Sequence, residues 1–363
     1  MVKVIIQIME EIEIIKECIG IDISKLDFVC VHAKETSKGD LIYSKSIKFP
    51  NSKTGFNQLM KWYRKNCSKN LDVLFLMEAT GVYYESLAYH LYRLGKTTCV
   101  VLPNKSKHFT KSLNVKTKTD AVDAKVLSQF GIERKQQEWK PPLPILKTLR
   151  EYTRLLNSLK RQKMAVENQN EAYRNSEGVD SFLLKTNTQL VHYLKKQIIK
   201  CEEEIKKLIG SEDWLDNKVK QLMTIKGVGL ITVAIIIGET QGFSMIKNRK
   251  QLTSYAGYDV VQRQSGTSLK GKTRISKKGN SNIRAALHMP SFVYIKYNKL
   301  VKVNYERINE RKPSKMIGVI ATQRKLLTLM YTLWKTDQDY IENYQQIKID
   351  TSQKKMPIQN ECI

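Results

Sequence analysis

The stretch ECIGIDISKLDFVCVHA, residues 17–33, decides the fold. It holds two apolar, β-branched runs, ECIGIDIS (17–24) and FVCVHA (28–33), separated by Lys25-Leu26-Asp27. That pattern predicts two strands joined by a tight turn. Gly39-Asp40 then precedes LIYSKSIKF (41–49), which predicts a third strand with alternating faces. TGFNQLMKWYRKN (54–66) has helical spacing, and LDVLFLMEA (71–79) is a continuous apolar run, as in a strand buried on both faces. A helix (82–95), a strand TTCVVLP (97–103) and a last helix from near Thr119 through AVDAKVLSQFG complete the series.

The order β-β-β-α-β-α-β-α, a meander followed by crossover units, predicts an α/β domain of the RuvC/ribonuclease-H-like kind over 17–138, with residues 1–16 as an N-terminal extension. In that extension Glu10, Glu11 and Glu13 interrupt the apolar run, so it does not read as a signal peptide. Trp139, Pro141, Pro142 and Pro144 read as a stiff linker. Beyond it the period becomes helical. Leu149, Tyr152, Leu156 and Leu159 form one seam, and Val191, Leu194, Ile198, Cys201, Ile205 and Leu208 form another. They predict a helical coiled-coil arm over 145–215, either pairing two copies of the chain or packing on itself. A mainly helical C-terminal domain follows over 220–340, then a tail, 341–363. The expectation is thus α/β plus α.

The 363 residues carry 62 lysines and arginines against 35 acids, a formal charge of +27. Such a surplus suits a polyanionic partner, DNA or RNA. No apolar run approaches the roughly 18 residues of a spanning helix, which excludes a transmembrane protein of that type. The six cysteines form no CxxC pair and no Cys/His cluster, so neither a zinc finger nor a disulfide framework is expected. In MTIKGVGLITVAIIIGE, Gly227-Val228-Gly229 resembles a helix-hairpin-helix turn, whose N–H groups suit a phosphate; an ordinary tight turn reads the same. From 245 to 285 ten basic residues stand against one acid, Asp259, among interleaved glycines and serines. Small residues let backbone approach phosphate, and the cations supply affinity. The candidate nucleic-acid contacts are Arg263, Gly266, Lys272, Arg274, Lys277, Lys278 and Arg284, with Gly227 and Gly229 at the turn and Lys116 and Lys118 ahead of the last helix of the first domain.

In a chain short of acids, four stand out. Asp22 lies between Ile21 and Ile23 of the first strand, Glu78 ends the run LDVLFLM, and Asp120 and Asp123 are three apart on a helix face. Their elements converge at one end of a ribonuclease-H sheet. Four anions in one cleft repel, by about 4 kcal/mol for a pair at ~4 Å and an effective dielectric near 20. Divalent cations such as Mg²⁺ offset that and clamp the attacking and leaving oxygens of a phosphodiester. Each acid also has a bland reading. Asp22 caps the turn at 24–27, Glu78 pairs with a lysine, Asp120 complements the helix dipole, and Asp123 faces solvent.

The segments GIDISKLDFVCV, LMEATGVYYESLAYHL and NKSKHFTKSLNVKTKTDAVDAKVLSQFG resemble the Asp-Glu-Asp-Asp domain of bacterial insertion-sequence transposases of the IS110 family, the group that includes pilin-gene invertases. IKGVGLITVAIIIGE, FSMIKNRKQLTSYAGYDVVQRQSGTS and RISKKGNSNIRAALH resemble that family's second domain. The resemblance spans about 20–125 and 220–300. It implies that Asp22, Glu78, Asp120 and Asp123 bind one or two Mg²⁺, and that Ser265 attacks a DNA phosphate to form a phosphoserine link. It further implies a structured non-coding guide RNA, the bridge RNA, pairing with element ends and target DNA. A homodimer or homotetramer, and a location in the bacterial cytoplasm at the nucleoid, follow with it. The chain departs from the family at Val260, where many members have proline, and at Lys278, where they have arginine; lysine there weakens a bidentate phosphate grip. A serine hydroxyl is a weak nucleophile until assisted, and no histidine lies near Ser265 in sequence; His288 is the closest and reads as structural, while Ser268 is a rival nucleophile. Two other readings remain: a metal-dependent RuvC-like junction nuclease using water, and a non-catalytic RNA-binding scaffold.

Overall fold

The expected hairpin is β1 (Ile14–Ile23) and β2 (Asp27–Thr36), antiparallel with Gly20 opposite Val31 and Asp22 opposite Val29. This computed structural model describes residues 13–342 apart from Met245, Arg263, 266–268 and Lys272. Most of the expected extension and almost all of the expected tail therefore lie outside the described residues. The run 41–49 is not one strand. It breaks into β3 (Leu41–Tyr43) and β4 (Ile47–Pro50), both paired with β2. Ser44 is the cause, since its hydroxyl accepts from His32 N at 3.0 Å while its own N donates to His32 O at 2.8 Å.

There follow α1 (Lys53–Asn66), β5 (Leu74–Glu78), α2 (Glu85–Arg93) and β6 (Thr98–Val101). A helix absent from the sequence reading, α3 (Pro103–Ser112), precedes α4 (Asp120–Glu133). Thr119 caps α4 by accepting from Val122 N at 3.2 Å. The sheet order is β3-β2-β1-β5-β6, with β4 also on β2; β1 pairs antiparallel with β2 and parallel with β5, and β5 pairs parallel with β6.

Strand periodicity sorts β1 into two faces. Ile19, Ile21 and Ile23 join Phe75 and Met77 of β5 in a core with α1 and α2. Cys18 and Leu76 lie in a separate core with Val126, Leu127 and Phe130 of α4. Asp22 and Glu78 continue the α4 side of their strands. Two glycines let α4 press close. A Cβ on Gly20 would stand 2.2 Å from Ala124 O and from Ser128 N, and one on Gly131 would stand 2.2 Å from Cys18 Sγ. Trp139 is more than a linker residue. It is buried against Tyr89 and Tyr92, and its N–H donates to Thr98 O at 2.7 Å.

The chain divides at this point into two units, Met1–Pro141 and Pro142–Ile363. The second opens with two long helices, α5 (Pro144–Arg174) and α6 (Ser181–Gly210), which pack on each other within one chain. Leu149 and Leu156 of the first seam and Leu194, Cys201 and Ile205 of the second are buried. Then come α7 (Asp213–Met223), α8 (Leu230–Thr240) and α9 (Arg249–Ala256). A small ribbon follows, in which β7 (Val260–Val261) pairs with β10 (Arg274–Ile275) and β8 (Gln264–Ser265) with β9 (Leu269–Lys270). The helices α10 (Ser281–Ala286), α11 (His288–Tyr297), α12 (Lys299–Asn309) and α13 (Met316–Thr336) close the unit.

Its core holds one buried charge that the sequence reading did not single out. Glu239 of α8, 3% exposed, accepts from Arg154 of α5 through both oxygens (2.8 and 2.9 Å), from Asn280 Nδ2 (2.7 Å) and from Asn282 Nδ2 (2.8 Å). Burial alone raises its pKa, but these donors outweigh it and hold the carboxyl below its ordinary value. The network ties α5 and α8 to the segment that follows the ribbon.

Candidate active site

Asp22, Glu78, Asp120 and Asp123 all line one cavity of about 580 Å³ in the first unit. Asp22 is the last residue but one of β1 and Glu78 ends β5, each one residue beyond the Ile21–Met77 pair that joins the two strands. Asp120 and Asp123 lie in the first turn of α4. The cavity therefore sits at the carboxyl ends of two parallel strands, beside a helix N-terminus.

The bland readings of two acids are not what the structure holds. The turn at 24–27 is fastened by Ser24, whose hydroxyl donates to the Asp27 carboxylate at 2.8 Å and accepts from Asp27 N at 3.2 Å. Glu78 has no lysine partner among the described residues; it accepts from Ser106 Oγ at 2.5 Å. That bond fixes one carboxylate oxygen and leaves the other for a ligand. Asp22, Glu78 and Asp123 are half-buried, and Asp120 is exposed.

The electrostatics record unneutralised charge. Burial pushes the Asp22 carboxyl up to about 6, and Asp123, Asp120 and Glu78 add to the rise; Lys118 opposes it. Asp123 is raised chiefly by burial, with Lys118 opposing and Glu78 and Asp120 contributing. Hard oxygen donors and surplus negative charge fit a divalent cation of the Mg²⁺ class, which binds through few carboxylates and keeps several waters. Lysines 107, 111, 116 and 118 also line the cavity, so a basic rim surrounds the acidic floor. Lys116 and Lys118 thus stand beside the four acids.

The other predicted residues lie in the second unit. Ser265 belongs to β8, where it pairs with Leu269. Arg263, Gly266 and Lys272, with the rival Ser268, lie outside the described residues. Arg274 and Lys277 line a second cavity, while Lys278 is exposed. Arg284 is engaged in the fold, donating from Nη1 to Ala256 O (2.8 Å) and Gly279 O (3.2 Å). Gly227 has φ +92°, and a Cβ there would stand 2.7 Å from Val293 Cβ, so the turn between α7 and α8 requires glycine on packing grounds alone. Gly229 is the N-cap of α8.

Sequence reasoning missed α3, which brings Ser106, Lys107 and Lys111 to the cavity. The signal was present: Pro103 directly after a strand marks a helix start. It also missed a cluster of Glu17, His32 and Cys67, the only three potential ligands among the described residues whose atoms all lie within 4.8 Å of one another. Cys67 Sγ lies 3.8 and 3.7 Å from the two ring nitrogens of His32, so it is off the lone-pair direction of either. Both oxygens of Glu17 are already taken by Ser68 N and Oγ, Lys34 and His32. The cluster is a buried polar network that closes the sheet onto the end of α1.

Comparison with known proteins accords with this geometry. Residues 19–173 match a transposase family model of the DEDD type, and residues 219–306 match the model described as Transposase IS116/IS110/IS902 family. The chain is 28% identical over 332 residues to the pilin gene-inverting protein of Moraxella bovis, covering 90% of this chain and 98% of that one. It is likewise 28% identical over 335 residues to the pilin gene-inverting protein of Moraxella lacunata, with the same shares covered.

Proposed function

The chain belongs to the IS116/IS110/IS902 family of transposases, and from that premise we propose that it cuts and rejoins DNA through a serine-linked intermediate. The observation that carries this reading is the convergence of four carboxylates from β1, β5 and α4 on one lysine-rimmed cavity. Asp22, Glu78, Asp120 and Asp123 would hold Mg²⁺. A cation held there would supply Lewis-acid withdrawal of charge from a phosphate and from the oxygens that enter and leave. Ser106 orients Glu78 through its 2.5 Å hydrogen bond. Lys116 and Lys118 draw the DNA phosphates in and offset charge that develops on them.

Ser265 supplies the nucleophile. Its Oγ forms a bond to phosphorus as one P–O bond to a sugar breaks, the hydroxyl proton leaving and the freed sugar oxygen taking one up. The count of phosphodiester linkages is unchanged, so rejoining needs no external energy source. Two further parts of the reading are a bridge RNA that pairs with element ends and target, and assembly as a homodimer or homotetramer. The +27 charge supports the first. Exposed Phe182, Leu190, Tyr193 and Ile199 on α6 support the second, since apolar side chains along one helix suit a partner helix. Among the described residues no helix is long and apolar enough to cross a membrane.

The test is a denaturing gel of wild type and Ser265→Ala incubated with guide RNA, DNA ends and Mg²⁺. Wild type is expected to give a covalent protein–DNA band and rejoined strands, and Ser265→Ala neither. Cleavage retained by Ser265→Ala would point instead to a nuclease that uses water.

A further inference from the structure

We propose that the cavity between the 260–275 ribbon and α13 is a groove for single-stranded nucleic acid, seating an unstacked base on its floor and the flanking phosphates on its rim. The proposal rests on the reading of the chain as a nucleic-acid enzyme, but on neither Ser265 chemistry nor the acidic cavity. The groove has a volume of about 1060 Å³ and lies wholly within the second unit. Its seven cations come from four separate parts of the chain: Arg249 and Lys250 from the start of α9, Arg274 and Lys277 from the ribbon and its exit, Lys312 from the link between α12 and α13, and Arg324 and Lys325 from α13. No carboxylate lines it, and among the described residues none of these seven forms an ion pair. Like charges held around one hollow with no internal counterion call for an anionic ligand.

The floor distinguishes a single strand from a duplex. Val260, Ile275, Ile317 and Ile320 line the hollow, and Val260 and Ile317 remain 55% and 39% exposed. A duplex turns sugars and phosphates outward and has no use for apolar surface beneath the cations. An unstacked base does, because its faces are apolar while its phosphates are charged. At this volume the groove exceeds the roughly 300–1,000 Å³ of small-ligand pockets, which suits several linked nucleotides rather than one small anion. The ribbon that carries Ser265 forms one wall, through Val260, Arg274 and Ile275.

The experiment is fluorescence anisotropy with the full chain and labelled single-stranded DNA, single-stranded RNA and duplex DNA across a salt series. Arg324→Ala/Lys325→Ala changes two exposed side chains and is expected to fold as wild type, which matched thermal unfolding checks. It should bind single strands about tenfold or more weakly, with the slope of log affinity against log salt reduced by about 1.4, two contacts at roughly 0.7 each. Ile317→Ser should abolish the brightening of a 2-aminopurine base on binding. The tighter of the two single-strand arms identifies DNA or RNA as the source. Asp22→Asn and Ser265→Ala should bind as wild type, so loss of cleavage leaves this proposal standing. Unchanged single-strand affinity in the double variant would overturn it. So would equal losses for duplex and single strand, or 2-aminopurine brightening that survives Ile317→Ser.

Discussion

Replacing Asp22 by asparagine should stabilise the protein while it abolishes activity. The Asp22 carboxyl titrates at about 6 rather than its ordinary 3.8. That difference corresponds to ~3 kcal/mol against the ionised folded form, or ~2 once partial exposure is allowed for. A folded pKa above the unfolded one means that the fold enjoys its full advantage below about pH 4 and loses it as pH rises through about 6. At pH 7.5 in EDTA wild type carries the whole penalty, and asparagine, of the same shape and uncharged, does not. The first unit of Asp22→Asn should then melt ~4–8 °C higher, at roughly 2–4 °C per kcal/mol. Mg²⁺ should reverse the ranking. A ligand at a hundred times its dissociation constant adds ~2.7 kcal/mol to wild type and less to the variant, which has lost one ligand. Differential scanning calorimetry with and without Mg²⁺ reads both effects. If Asp22→Asn melts at or below wild type in EDTA, or if Mg²⁺ raises both equally, the four carboxylates do not form an uncompensated, metal-seeking cluster.

Gly20→Ala places a methyl against the backbone of α4 and should cost ~3 kcal/mol or more by chemical denaturation, with cleavage lost because Asp120 and Asp123 move with the helix. Ser106→Ala should leave stability within ~1–2 kcal/mol of wild type. It should lower the cleavage rate and raise the Mg²⁺ needed for half-maximal rate, since Glu78 loses its anchor; an unchanged Mg²⁺ requirement would refute that role. Glu239→Gln should destabilise the second unit by ~2–4 kcal/mol, leaving Arg154 without its anionic partner. Because the folded pKa of Glu239 is depressed, its contribution is present above about 4.5 and lost as pH falls through the folded value. The second unit should therefore weaken in acid while the Asp22 site gains, a divergence visible by tryptophan fluorescence and calorimetry together.

Much of the first unit was written in local pattern. Apolar, β-branched runs announced β1 and β2, a continuous apolar run announced β5, helical spacing announced α1, α2 and α4, and charge announced a polyanionic partner, because each of these signals is carried by the sequence itself without any tertiary contact. The four acids stood out by their scarcity and their flanks. What only the tertiary structure decided lies in contacts between distant residues. The absence of a side chain at Gly20 lets α4 bring Asp123 over Asp22. The unforeseen α3 carries Ser106 to Glu78, 28 residues away in the chain, and Arg154 meets Glu239 across 85 residues. Arg324 and Lys325 reach the same hollow as Arg249 and Arg274 only because α13 packs there. Sequence periodicity reports which side of an element is apolar. Which element covers that side is chosen by packing and by the pairing of buried polar groups, and no window of local sequence contains both partners.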